Sequence, residues 1–377
     1  MTKLTDLCDI QYGYAFDSGA FSDDESYPQL VRIRDVKRGY SETYYNGEYP
    51  EEYVLSAGDL LIGMDGEFNI ARWKVDGALL NQRVCKIIAK DNADEEFLRF
   101  ALSKALKAIE DRTSFATVKH LSAKELNKLE IPVPPYEEQK KISEILHRLE
   151  KVIDIRQNEL ASLDELIKAR FVELFGDSEN NSKHWPVYKL DELCDVGSSK
   201  RIYQEEQTSE GIPFWRISDL VNKMDVGYAN SGLFISQEKY DELKEKEQVP
   251  VAGDILVTSR GTLGRCYIIS ETDKFYFQDG MISWLSKYKH GITPLYIKHL
   301  FMTSGLIRQI NGMQAGSTVA YLSITMLKKL DIMLPDSGVQ LQFAEFVKQV
   351  DKSKVAVQKS LEETQTLFDS LMQEYFG

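Results

Sequence analysis

The sequence predicts an α+β chain: two globular α/β domains separated by two long antiparallel coiled-coil helices, a pseudo-two-fold tandem repeat. Three observations carry this. From Tyr136 to Phe175 apolar residues recur at spacings of three and four: Ile142, Ile145, Leu149, Val152, Leu160, Leu163, Ile167, Phe171 and Leu174, with Arg156 the one polar break. So long a stripe, with charges between its members, is a coiled-coil seam, and the helix would be a rod of roughly 60 Å. The pattern returns 201 residues later, where Leu361, Glu374 and Phe376-Gly377 answer Leu160, Glu173 and Phe175-Gly176. The globular parts repeat as well, Ala252-Gly253-Asp254-Ile255-Leu256-Val257 answering Ala57-Gly58-Asp59-Leu60-Leu61-Ile62.

In chain order, 1–135 opens with Lys3 to Ile10 and a loop rich in Gly, Ser and Asp around Ser18 to Ser26. Gln29 to Val36 alternates as a strand, Val31 and Ile33 on one face and Arg32 and Arg34 on the other. Ala57-Gly58-Asp59 is a turn into the strand Leu60-Leu61-Ile62, and Ile70 to Val75 and Leu79 to Ala89 are further strands. Glu95 to Asp111 is a helix with Phe97, Leu98, Ala101, Leu102, Ala105 and Ile109 on its apolar face. Pro132, Pro134 and Pro135 mark the start of the first long helix, and Gly176 its stop.

Asp177 to His184 is a polar linker, after which the order repeats, with Pro213 to Asp219 matching Pro28 to Asp35 and Pro294 to Ile310 supplying the helix. Further matches are Gln139 with Gln340, Leu129-Glu130-Ile131 with Leu330-Asp331-Ile332, and Thr117 to Ser122 with Thr318 to Ser323. The offset grows from 186 to 201, so the second copy carries about fifteen extra residues, placed in surface loops. The second globular part leaves the end of one long helix and returns to the start of the other. Antiparallel helices make that connection short.

The 377 residues suffice for two cores, and 43% hydrophobic with 28% charged residues is ordinary for a soluble protein. No run of eighteen apolar residues and no secretory leader is evident, which favours the cytoplasm. Cys8, Cys85, Cys194 and Cys266 form no CxxC pair, and His120, His147, His184, His290 and His299 lack ligand spacing, so no metal and no cofactor is expected on this chain. The net charge of −13 is spread: acids outnumber bases in 1–135, 136–177, 178–337 and 338–377 alike. A polyanion would not be drawn by the bulk field, and a basic partner has to supply that attraction.

Catalytic motifs are missing. Gly63-Met64-Asp65-Gly66 and Gly261-Thr262-Leu263-Gly264 lack phosphate-loop or dinucleotide spacing, and no GxSxG or HExxH occurs. Val133-Pro134-Pro135-Tyr136 lacks the Asp or Asn that an amino-methyltransferase motif places before its prolines, so helix entry is its better account. Cations are the remaining candidates. Arg32, Arg34, Lys37 and Arg38 form the densest cluster of the first copy, with Arg216, Ser218 and Lys223 in the matching place. Guanidinium groups pair bidentately with guanine or clamp phosphates, as groove reading requires. Ser259-Arg260 with Arg265 is a polar loop of the second copy, and its counterpart, Asp65 to Arg72, has a different charge pattern. Similar scaffold with divergent loops suits two readers of different sequences. Arg72, Arg83, Lys119, His120, Lys200, Arg201 and Gln278 complete the candidate DNA-binding set.

Taken together, Ala57 to Ile62, Asp65 to Trp73, Asn81-Gln82-Arg83, Val118 to Ser122 and Ile131-Pro132-Val133-Pro134-Pro135-Tyr136-Glu137-Glu138-Gln139 make the sequence resemble the specificity (S) subunits of type I restriction-modification enzymes over essentially its whole length. In the second copy Met333 replaces the first proline and Asp336-Ser337-Gly338-Val339 replaces Pro-Tyr-Glu-Glu. The resemblance implies target recognition domains at 1–135 and 177–337, and spacer helices at 136–176 and 338–377. Each domain would read half of a bipartite, asymmetric site in double-stranded DNA, the helices fixing the gap. It implies no catalytic centre here: two methyltransferase (M) subunits would bind S-adenosylmethionine and methylate adenine, and restriction (R) subunits, where present, would use Mg and ATP. Ile142, Leu149, Arg156, Leu163, Phe343, Val350, Val357 and Leu361 are the expected seam and docking positions. The alternatives are a non-enzymatic coiled-coil scaffold and an orphan recognition module without a methyltransferase partner.

Overall fold

The computed structural model describes residues 1–112, 119–314 and 320–377. The chain forms two compact units: Met1–Asn158 with Val357–Gly377, and Glu159–Ala356. Thr117-Val118 and Thr318-Val319 of the repeat lie outside the described residues.

In the first unit a four-stranded antiparallel sheet runs in the order Cys8–Tyr12, Val84–Ala89, Leu60–Gly63, Ile70–Arg72. All of Leu60–Gly63 is buried. Alternation explains why the run is apolar throughout: Leu60 and Ile62 pack on Phe97, Leu98 and Leu102, while Leu61 packs on Trp73, Val84 and Val31. The second unit repeats this order with Asp195–Gly197, Ile282–Ser286, Ile255–Thr258 and Cys266–Ile268. There Ile255 and Val257 face Tyr296 and Ile297, and Leu256 faces Trp215 and Phe277. A short antiparallel ladder closes each unit: Thr2–Lys3 on Glu130–Ile131, and Val187–Lys189 on Asp331–Met333.

Three expected elements differ, the first being Leu79 to Ala89, which is two strands, Ala78–Leu79 and Val84–Ala89, parted by a turn in which Arg83 takes φ +67°. Gln29 to Val36 is not a strand. Leu30 makes a single bridge to Leu79, and Ile33–Asp35 is a turn of 3-10 helix. The cause is Asp35: its buried carboxylate accepts from the Arg32 backbone N–H at 3.1 Å and Ser41 Oγ at 2.8 Å, which folds the chain back on itself. The matching Asp219 accepts from Arg216 N at 2.8 Å and starts the helix Ile217–Val226. Pro294 to Ile310 is two helices, Pro294–Leu300 and Ser304–Gly312, because Thr303 Oγ1 donates back to Leu300 O at 2.7 Å where the first helix ends.

The long helices are Tyr136–Phe175 and Ser337–Phe376, 40 residues each. Gly176, at φ +82°, ends the first with its N–H on Val172 O, a left-handed position that glycine adopts without strain. Within the second unit the two helices run antiparallel: Phe175 meets Phe343, Arg170 lies over Phe346, and Asp164 pairs with Lys354. Within the first unit the start of one and the end of the other share a core through Ile142, Leu146 and Met372. The seam follows the expected stripe at Ile142, Ile167 and Phe171 but runs one residue later at two positions between them. Leu146 and Ile153 are buried, whereas Ile145 and Val152 are exposed, since adjacent residues of a helix point about 100° apart. Ile142, Phe343, Val350 and Val357 are buried, and Leu149, Arg156, Leu163 and Leu361 are half-buried.

A buried glutamine seats each long helix. Gln139 Nε2 donates to Pro134 O at 3.0 Å and Asn92 O at 3.2 Å, and its Oε1 accepts from Asp94 N at 2.9 Å. Gln340 Nε2 donates to Pro335 O at 2.9 Å, and its Oε1 accepts from Thr293 N and Oγ1, both at 2.9 Å. In each copy one side chain ties the helix entry to the loop before the globular helix.

Candidate nucleic-acid interface

The loop after the central strand is built alike in both units. Met64 N donates to Arg83 O and Met64 O accepts from Leu121 N, at 2.8 and 2.7 Å. Ser259 N donates to Met281 O and Ser259 O accepts from Leu322 N, at 2.9 and 3.0 Å. The next residue makes an antiparallel bridge in each, Asp65 with His120 and Arg260 with Tyr321. Asp65 and Arg260 therefore occupy one backbone position in two copies of one scaffold.

Their chemistry is opposite. The largely buried Asp65 carboxylate takes Arg83 Nη1 at 2.8 Å and the His120 Nδ1 edge, so it gathers two exposed candidate residues into one cluster. Arg260 is exposed, its guanidinium carbon 5.4 Å from the Tyr321 ring centroid. Among the described residues it makes no hydrogen bond or ion pair. It borders an open groove of about 400 Å³ with Arg201, Gln278, Asp279, Phe214 and Met281. Arg201 is paired to Asp279 at 2.9 Å, and the Gln278 amide is unengaged among the described residues.

The other candidates divide by whether a carboxylate holds them. Arg72 is bound to Glu95 at 2.6 Å, Glu96 at 2.5 Å and Gly58 O at 2.6 Å, fastening the helix Glu95–Arg112 to its strand. Arg38 is engaged by Asp35, Lys119 by Glu110 at 3.0 Å, Lys223 by Asp273 at 3.4 Å, and Arg265 by Asp225. The Lys119 ammonium draws the Glu110 carboxyl below its ordinary range. Arg34 and Arg216 stand 3.8 and 3.7 Å from Asp35 and Asp219. The side chains of Arg32, Lys37 and Lys200 have no acidic partner among the described residues, and Ser218 is exposed on the first turn of its helix. Ser259 is buried, its Oγ 2.8 Å from Ser283 Oγ, so it supports the loop and faces no solvent. Lys223 and Arg265 border a second groove of about 330 Å³ with Lys298, away from the Arg260 group.

Sequence reasoning missed Asp65 and Tyr321 as site residues. The growing repeat offset already aligns Asp65 with Arg260 and His120 with Tyr321, and that alignment is the signal that would have found them. The described residues contain no group of three His, Cys, Asp or Glu able to hold a metal, and no helix long and apolar enough to cross a membrane.

A duplicated scaffold with divergent loops and paired long helices defines a class, and family comparison agrees. The chain belongs to the type I restriction modification DNA specificity domain family, which matches residues 1–165 and again 182–364. Among relatives it is 29% identical to the EcoBI specificity subunit of Escherichia coli, over 99% of this chain and 84% of that protein. It is 23% identical to the MjaVIII specificity subunit of Methanocaldococcus jannaschii, over 80% and 74%. The fold is shared with the S subunit of a type I system from M. genitalium, at TM-score 0.58 and 16% identity over 100% and 95% of the two chains. A second structure, from work on complex assembly and conformational transition of the type I R-M system, gives TM-score 0.56 and 17% identity over 99% and 96%. The chain is thus a type I specificity subunit by family, with a DNA sequence-recognition role, and the expected fold class of two α/β domains with long antiparallel helices is the one it adopts.

Proposed function

We propose that 1–135 and 177–337 are target recognition domains that each read one half of a bipartite, asymmetric DNA site. The helices 136–176 and 338–377 set the gap and dock two methyltransferase subunits. The observation that carries this is the Asp65 and Arg260 equivalence: the scaffold is kept while the residue offered at its tip changes sign. Two identical half-sites would not need that difference. The net charge of −13 fits a reader brought to DNA by a basic partner. The chain itself is non-catalytic in this reading. S-adenosylmethionine is bound by the methyltransferase subunits, which modify adenine, and Mg and ATP serve restriction subunits in an ATP-dependent endonuclease. Such a complex works in the cytoplasm, where its DNA lies.

Domain exchange tests the reading. Replacing 178–336 with the equivalent segment of a relative of different specificity should change one half of the methylated site and leave the other. A site changed in both halves, or in neither, contradicts it.

A further inference from the structure

We propose that Arg260 is the residue through which the second globular domain recognises a guanine, at the major-groove edge of that base. This rests on the specificity-subunit reading and adds to it one residue and one base.

The backbone under Arg260 is pinned. Ser259 is held on both sides, by Met281 O at 2.9 Å and Leu322 N at 3.0 Å, and its hydroxyl is locked on Ser283. Thr258 Oγ1 accepts from Arg265 N at 3.0 Å and donates to Thr262 O at 2.5 Å, closing the turn that Gly261 makes at φ +69°. The guanidinium plane is steadied by the Tyr321 ring, a contact that leaves its in-plane donors open. Those donors form the fork that matches guanine N7 and O6.

Two further features suit Arg260 to a base edge. Arg201, Arg216, Lys223 and Arg265 each lie beside a carboxylate of their own, whereas Arg260 has none among the described residues. The groove beside it carries the Asp279 carboxylate and the side chains of Phe214 and Met281. Asp279 neutralises Arg201, so the groove adds no free cation for a phosphodiester, while the carboxylate oxygens and the two apolar side chains can take the amino groups and carbon edges of bases. Gln278, on the same groove, supplies a second hydrogen-bonding side chain for a neighbouring pair.

The test uses the chain assembled with its methyltransferase subunits, and duplexes in which each pair of the second half-site is changed in turn, at fixed salt. Wild type should lose binding at one G·C pair. Arg260→Ala should erase the preference at that pair, roughly 5- to 150-fold, with the ranking at every other pair unchanged. Arg260→Gln should move the preference there from guanine toward adenine, an outcome that misfolding cannot mimic. Uniform weakening on all duplexes with a shallower salt dependence would make Arg260 a phosphate contact and overturn the assignment. Unaltered preference in both variants would also overturn it while leaving the specificity-subunit reading intact. A wild-type complex with no sequence preference would overturn both.

Discussion

Asp65 and Arg260 stand at the same bridged backbone position of two equivalent loops, one a carboxylate clasped by Arg83 and His120, the other a guanidinium open to solvent. At this position the first domain thus presents a preassembled charged cluster, and the second a guanidinium with no carboxylate partner among the described residues. Asp65→Ala should release Arg83 and His120 and lower discrimination at the first half-site by about tenfold, one charge-assisted hydrogen bond's worth. The second half-site should be read as before. Binding of the assembled complex to duplexes altered in each half measures this, and equal losses in both halves would contradict a domain-local role for Asp65.

The glutamines that seat the long helices should act on stability. Gln139→Leu leaves the Asp94 N–H and two carbonyls without their partner, and Gln340→Leu does the same to Thr293 and Pro335. Buried groups stripped of partners cost about 1–3 kcal/mol each, so each variant should lose at least about 2 kcal/mol. A urea midpoint unchanged in either variant would show that the seat is dispensable.

His299 makes stability depend on pH. Burial, with its ring 5.0 Å from that of Phe343, then the charges of Lys298 and Lys354, push its pKa from 6.5 down to about 4. The unfolded chain takes up the proton near 6.5 and the folded one only near 4. The stability contributed by neutral His299 is therefore complete above pH 6.5 and falls away as pH drops toward 4, by about 3 kcal/mol. His299→Gln, which cannot be protonated, should show a shallower decline of its unfolding midpoint across that window. Parallel declines in the two proteins would count against it.

Lengthening the spacer should move the half-sites apart. One heptad added after Arg156, matched by one in the second helix beside Leu361, extends the pair by about 10 Å, roughly three base pairs of DNA. The methylated site should keep both halves and widen its gap. An unaltered gap would remove the helices as the ruler.

Much of the fold was legible because its signals are long and occur twice. The helices announce themselves over many turns, and the Ala-Gly-Asp turn feeds a strand whose two faces are both buried. The errors were local. Arg32 to Asp35 alternates like a strand, but a buried carboxylate satisfied by nearby N–H and O–H groups bends it. Ile145 and Val152 keep the seam's seven-residue spacing yet lie one residue off its buried line. The site was harder to read, since composition shows cations and hides their partners. Arg72 looked available until Glu95 and Glu96, 23 and 24 residues on, closed over it. Arg260 is visible in the sequence, while its contact with the Tyr321 ring forms only where two distant segments meet.

The most direct test of the account is methylome sequencing of cells carrying the partner methyltransferase, with and without this chain. The account predicts adenine methylation at a bipartite, asymmetric site that appears only when the chain is present. Methylation at a palindromic or single-block site, or methylation indifferent to the chain, would contradict it.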